Sequence, residues 1–165
     1  MTSIDASQPN RTPAELHAMA LALEASGEYK VLRKLRPRET ILPPDESPTR
    51  RGLFVDVETT GLDAARDEII ELAMVPFTYG LDGRIFEIQS PFHGFREPAI
   101  PVPAEITALT GITNEMLVGK SIDPAEVAAF ATNSALVVAH NAGFDRRFLE
   151  KLSDAFLALP WACSM

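Results

Sequence analysis

Cysteine is almost absent from this chain: Cys163 stands alone among 165 residues. An internal disulfide is thereby excluded, and a lone thiol suits a reducing cytosol, where it reads as a small apolar filler. No apolar stretch approaches the ~20 residues needed to cross a bilayer. Residues 1–10 are polar and contain no apolar segment of a secretory leader. The expectation is a cytoplasmic protein without membrane contact. Positive charge is also scarce: 15 Lys and Arg against 23 Asp and Glu leave a net charge of −8. Such a chain is a poor general binder of polyanions, so any nucleic acid must be met locally and with the help of cations. The basic residues are uneven. Lys30, Arg33, Lys34, Arg36 and Arg38 form a run that reads as a contact or as a solvated helix face, whereas most of the acid excess follows Gly52.

The 46% of apolar residues is enough for one domain with an extension. Residues 1–12 read as a disordered tail. Thr12-Pro13-Ala14-Glu15 then opens a helix, with a capping threonine, proline at the first helical position and glutamate three residues after the cap. Leu16, Met19, Ala20 and Leu23 continue it at helical spacing to a stop at Gly27. A second short segment spans Tyr29 to Leu35. Residues 36–50, with Pro37, Pro43, Pro44 and Pro48, read as a linker, so residues 1–50 form a helical extension and residues 51–165 the domain proper.

Within the domain, three strands are expected at residues 52–57, 68–79 and 84–92. Asp82-Gly83 turns the second into the third, which makes those two antiparallel neighbours. Residues 101–117 hold short helical pieces. Asp123-Pro124-Ala125-Glu126 starts a helix with Val127, Phe130 and Ala131 on its apolar side. Residues 135–139 form a continuous apolar strand, residues 143–152 a helix, and residues 161–165 the opening of a further strand. Three strands followed by helix–strand–helix–strand give an α/β fold with a mixed sheet, first antiparallel and later parallel.

Chemistry is concentrated in Val55-Asp56-Val57-Glu58-Thr59-Thr60-Gly61. The strand period of two turns Asp56 and Glu58 to one face. Two carboxylates side by side in an apolar run repel each other and lose hydration, and a divalent cation is the usual remedy. A third acid, Asp145, opens the helix that follows the apolar strand. It shares the inward stripe with Phe148, Leu149 and Leu152. Alone it would read as a carboxylate at a helix N-terminus. Ligands of open α/β sheets gather beyond the carboxyl ends of strands, where Asp56, Glu58 and Asp145 can converge. His140 reads as a ligand, a substrate contact or a satisfied structural histidine, the last being preferred. Asn141 is expected to bond the backbone of the strand-to-helix turn. His17 and His93 read as surface residues.

These residues carry a resemblance. Phe54-Val55-Asp56-Val57-Glu58-Thr59-Thr60-Gly61-Leu62 resembles the first motif of the DnaQ-like DEDD 3′–5′ exonucleases, which include the proofreading subunit of bacterial DNA polymerase III. His140-Asn141-Ala142-Gly143-Phe144-Asp145 resembles their second motif. Ile69-Ile70-Glu71-Leu72 is similar to the family's second strand. Pro103-Ala104-Glu105-Ile106 with Leu109-Thr110-Gly111-Ile112-Thr113 resembles its helix and turn over the substrate. The likeness runs from about Arg51 onward.

The resemblance implies a ribonuclease H-like fold and two Mg²⁺ or Mn²⁺ ions at the terminal phosphodiester. Asp56 would bridge both ions, Glu58 would hold the first and Asp145 would support the second. One ion would lower the pKa of water and the other would stabilise the leaving 3′-oxygen. Thr59, Thr60 and Gly61 would line the terminal nucleotide and Glu105 would contact its sugar. His140 and Asn141 belong to the same substrate-facing set. Thr110 stands where some members carry histidine.

The implied substrate is a single-stranded or frayed 3′ end of DNA, RNA being open, in replication or repair. The N-terminal helices would serve to dock a polymerase, a clamp or a second copy. The family's third motif, a histidine followed five residues later by aspartate, has no match before Met165. The resemblance therefore implies a domain incomplete at its C-terminus and impaired in hydrolysis. A catalytically inactive nucleic-acid or polymerase-binding module is the alternative. An aspartate-nucleophile phosphatase is disfavoured, because the lysine and second aspartate it needs are not suitably placed.

Overall fold

The computed structural model describes residues 11–34, 38–43 and 45–165. The expected tail at residues 1–10, the residues Leu35, Arg36 and Pro37, and Pro44 of the expected linker lie outside the described residues. The chain divides into two compact units, residues 1–37 and residues 38–165.

The first unit contains helix α1 (Pro13–Ala25). Its start follows the sequence logic: the Thr12 hydroxyl accepts from the Glu15 N–H, and the Glu15 carboxylate accepts from the Thr12 N–H. The helix ends at Ser26, before Gly27 at φ +77°. None of its residues is buried, despite Leu16, Met19, Leu21 and Leu23. The second short segment forms neither helix nor strand over the described residues 29–34. A segment this short lies below the length at which an isolated helix overcomes its nucleation cost.

The second unit is built on β1 (Thr49–Thr59), β2 (Ile69–Gly80), β3 (Ile85–Ile88), β4 (Phe92–Phe95), β5 (Leu136–Ala139) and β6 (Trp161–Cys163). The sheet order is β3-β2-β1-β5-β6, with β4 also on β2. β1, β2, β3 and β4 are joined antiparallel, while β5 runs parallel to β1 and β6 parallel to β5. The expected third strand is two strands. It breaks around Pro91, which lacks an N–H and restricts Ser90, and it resumes as β4 farther along β2.

The expected linker is only partly free. Ile41 N–H donates to the Phe86 carbonyl at 2.8 Å and Ile88 N–H to the Glu39 carbonyl at 2.7 Å. The compact unit therefore begins at Arg38, ahead of the expected start near Arg51.

Helices α2 (Ala104–Thr110), α3 (Asn114–Leu117), α4 (Pro124–Ala131) and α5 (Ala142–Leu152) complete the unit. Asp123 caps α4 as expected, accepting from the Ala125 N–H at 2.8 Å. Period-two alternation sends Leu53, Val55 and Val57 of β1 into one core with Leu72, Met74, Val127, Val137, Phe148, Leu149 and Phe156. The opposite face of β1 carries Phe54, Asp56 and Glu58, and it is much more open. Packing thus fixes α5 rigidly behind the sheet while the acids of β1 point away from the core.

Candidate active site

The antiparallel register of β1 and β2 pairs Asp56 with Ala73 and Glu58 with Glu71. Directly opposed residues share a face, with Cβ atoms about 4.5–5.5 Å apart. Two glutamates therefore confront each other across the strands, and Asp56 lies beside them. Asp145 reaches the group from α5. It is only 2% exposed, and its Oδ1 accepts a hydrogen bond from the Val57 N–H at 3.1 Å. Val57 is the residue between the two strand acids, so the helix start is tied to the middle of the acidic motif.

The electrostatics follow from this crowding. Burial pushes the Asp145 carboxyl up to about 6; hydrogen bonds from its own N–H and that of Val57 oppose the shift, Asp56 adds to it and His140 offsets it. Glu58 is raised by desolvation and then by Asp56, Glu71 and Asp145. Asp56 is raised by desolvation and then by Glu71, with His140 opposing. Asp56 remains exposed, so solvent screens its repulsion more than that of Asp145. Asp56 thus raises the proton affinity of both Glu58 and Asp145, and Asp145 raises that of Glu58.

They are not, as the side chains stand, a finished ligand set. Among the described residues no group of three His, Cys, Asp or Glu side chains is gathered closely enough to hold a metal ion. The donor chemistry nevertheless fits a hard divalent cation: the groups are carboxylate oxygens, crowded and short of hydration.

The turn after β1 is held by its own hydroxyls. Thr59 Oγ1 donates to the Gly61 carbonyl. Thr60 Oγ1 donates to Asp67 Oδ1 at 3.2 Å and accepts from the Glu68 N–H at 3.0 Å. Gly61 lets the Asp67 carboxylate lie against the turn, since a Cβ at this position would sit 2.5 Å from Asp67 Oδ2. His140 is exposed at the end of β5, with Nδ1 3.3 Å from Ser164 Oγ. Glu105 stands exposed in the first turn of α2.

Asn141 differs from expectation. Its side chain caps nothing; the residue instead adopts φ +60°, ψ +50°, a left-handed conformation that asparagine tolerates, and its carbonyl accepts from the Phe144 N–H at 2.8 Å. Cys163 is exposed and is not an apolar filler, because β6 ends at the rim of the sheet. Backbone N–H groups of Met165, Ala142 and Asn141 lower its thiol pKa.

Sequence reasoning gave no role to Glu71 or to its partner His93, whose Nε2 lies 2.6 Å from Glu71 Oε1. Their placement depends on a strand register set by the loop of residues 60–68, which periodicity alone does not count out. Asp67, the clamp on Gly61, was missed for the same reason.

A mixed sheet of this order, with acids on its first strand and at the start of the helix after β5, defines a ribonuclease H-like nuclease architecture. Comparison with known proteins agrees. The PolC-type DNA polymerase III of Thermotoga petrophila is 40% identical over 112 residues, covering 66% of this chain and 8% of that protein. The PolC-type DNA polymerase III of Latilactobacillus sakei is 43% identical over 99 residues, covering 59% and 6%. The chain thus spans less than a tenth of the length of these relatives. E. coli exonuclease I in complex with a dT13 oligonucleotide shares the fold at TM-score 0.52 and 20% identity, over 62% of this chain and 23% of that one. A family model for exonucleases, RNase_T, matches residues 53–162, a span that takes in both acidic motifs. The chain belongs to this DnaQ-like exonuclease family.

Proposed function

We propose that this chain hydrolyses terminal phosphodiesters of DNA in the 3′ to 5′ direction with the aid of Mg²⁺ or Mn²⁺. The observation that carries this reading is the bond between Asp145 and the Val57 N–H, which brings a third carboxylate onto the strand acids. Asp56, Glu58 and Asp145 would hold the ions. When bound, such ions supply a water nucleophile at neutral pH and neutralise charge at the scissile phosphate.

The chain's own residues do the rest. β1 presents Asp56 and Glu58 on one rigid face, and α5 supplies Asp145 from a core that fixes its position. Thr59, Thr60 and Gly61 form a tight turn beside the acids, suited to seat a terminal nucleotide. Glu105, His140 and Asn141 are assigned to the rim around the substrate. DNA is preferred as substrate because the similar polymerases are DNA polymerases and the exonuclease I structure holds a DNA oligonucleotide. A polymerase is the favoured partner on the same ground, with α1 the candidate contact.

The test is digestion of oligonucleotides labelled at one end or the other, with Mn²⁺ and with chelator. Loss of label from the 3′ end alone, abolished by chelator and by Asp56→Asn, supports the reading. Release from the 5′ end, or cleavage indifferent to Asp56→Asn, contradicts it. The open spacing of the acids favours a second reading, a nucleic-acid or polymerase-binding module without catalysis. That reading requires binding of nucleic acid or of a polymerase with no cleavage under any metal.

A further inference from the structure

A cavity of ≈ 480 Å³ opens between the loop after β1, the end of β4, the start of α4 and the far end of α5. Ten Lys and Arg residues lie from Arg38 onward, and three of them, Arg66, Arg96 and Lys151, line this one cavity. Such a concentration is unexpected in a chain of net charge −8.

The two acids in the wall do not account for it. Asp67 accepts from Thr60 Oγ1 at 3.2 Å and from the Asp63 N–H at 2.8 Å. Glu68 accepts from the Ala99 N–H at 2.8 Å and from Arg96 Nη2 at 2.9 Å. Both carboxylates are thus committed to protein donors. Arg66 only approaches Asp63, at 3.7 Å, with its side chain 86% exposed. Lys151 Nζ donates to the Ala64 carbonyl at 2.9 Å, a contact that leaves its charge uncompensated. Both cations keep free donors for a multivalent anion.

The cavity lies on the core side of the sheet, behind the strand that carries Asp56 and Glu58. Phe148 in its wall is one helical turn from Asp145, and Lys151 is six residues on, about 9 Å along the axis. Ile69, also in its wall, pairs with Thr59 beside Glu58. The volume falls within the ~300–1,000 Å³ range of small-molecule sites.

We propose that this cavity binds a phosphate ester through Arg66 and Lys151. The source is either a phosphate of a bound single strand or a free nucleoside monophosphate. Only the first source rests on the exonuclease reading.

The experiment uses the full chain in metal-free buffer. Deoxythymidine monophosphate is titrated by calorimetry, and a ten-residue thymidine oligonucleotide by fluorescence anisotropy over a salt series. Wild type is compared with the double variant Arg66→Ala, Lys151→Ala, with a charge-preserving Arg66→Lys, Lys151→Arg variant, and with Arg84→Ala as a distant control. The double variant is expected to weaken mononucleotide binding at least tenfold. It should also flatten the slope of log K against log salt by about 0.7, the value for one single-strand phosphate contact. The charge-preserving variant and Arg84→Ala should retain binding.

Loss of mononucleotide binding with an unchanged oligonucleotide slope assigns the site to free nucleotide. Loss of both assigns it to the strand. Unchanged binding of both ligands, or no binding of either by wild type, overturns the proposal. Cleavage is not read, so a chain that shows these losses but cuts nothing keeps the site and loses the exonuclease reading.

Discussion

Asp145 Oδ1 accepts the Val57 N–H at 3.1 Å, joining the first turn of α5 to the peptide between Asp56 and Glu58. One bond therefore carries both a structural and a chemical duty. Asp145→Asn keeps an oxygen acceptor there and should fold at least as stably as wild type at neutral pH. Asp145→Ala leaves a buried N–H unpaired and should lose about 1–3 kcal/mol in denaturant titration. Both variants should lose metal-dependent nuclease activity.

The raised Asp145 carboxyl gives stability a definite pH dependence. Its pKa is about 6 in the fold against an ordinary value of 3.8, so the folded protein holds this proton more tightly than the unfolded chain. Below the lower value both states are protonated and nothing is lost; above the higher both are ionised and the full penalty applies. Metal-free protein should therefore lose stability as pH rises from about 4 to about 6, on the order of 2–3 kcal/mol, and level off beyond. Asp145→Asn should remove that slope in urea titrations run at each pH.

Glu71 faces Glu58 across β1 and β2. Opposed like charges cost about 0.2–1 kcal/mol, so Glu71→Gln should stabilise the metal-free protein by that amount. The apparent pKa of Glu58, followed by side-chain NMR titration, should fall in the same variant.

Gly61 lies where a Cβ would meet Asp67 Oδ2 at 2.5 Å, and that carboxylate also holds Thr60 and the Asp63 N–H. Gly61→Ala must push Asp67 out of both bonds. The expected loss is about 1–3 kcal/mol, with activity falling more steeply than stability, measured as kcat/KM against thermal unfolding.

Much of this was legible in the sequence, for physical reasons. The alternation Leu53-Val55-Val57 against Asp56-Glu58 fixes which face of β1 is buried, whatever the strand pairs with. The capping residues Thr12, Asp123 and the stripe Asp145-Phe148-Leu149-Leu152 are local signals that the fold merely uses. What stayed hidden depends on partners distant in the chain. Glu71 acquires meaning only through the register that sets it against Glu58, and His93 only through the break near Pro91 that returns β4 to β2. The segment Glu39–Leu42 looks like linker because its partner, the edge strand β3, lies over forty residues away. Asn141 was assigned a side-chain bond because asparagine commonly makes one; here its backbone tolerance of positive φ is what the turn uses.

On this proposal Asp56, Glu58 and Asp145 close around a divalent cation. The most direct measurement is Mn²⁺ binding by electron paramagnetic resonance on the wild type, Asp56→Asn and Asp145→Asn. Saturable binding by the wild type, its loss in Asp56→Asn and its weakening in Asp145→Asn are expected. Equal binding by all three proteins, or none by the folded wild type, contradicts the proposal.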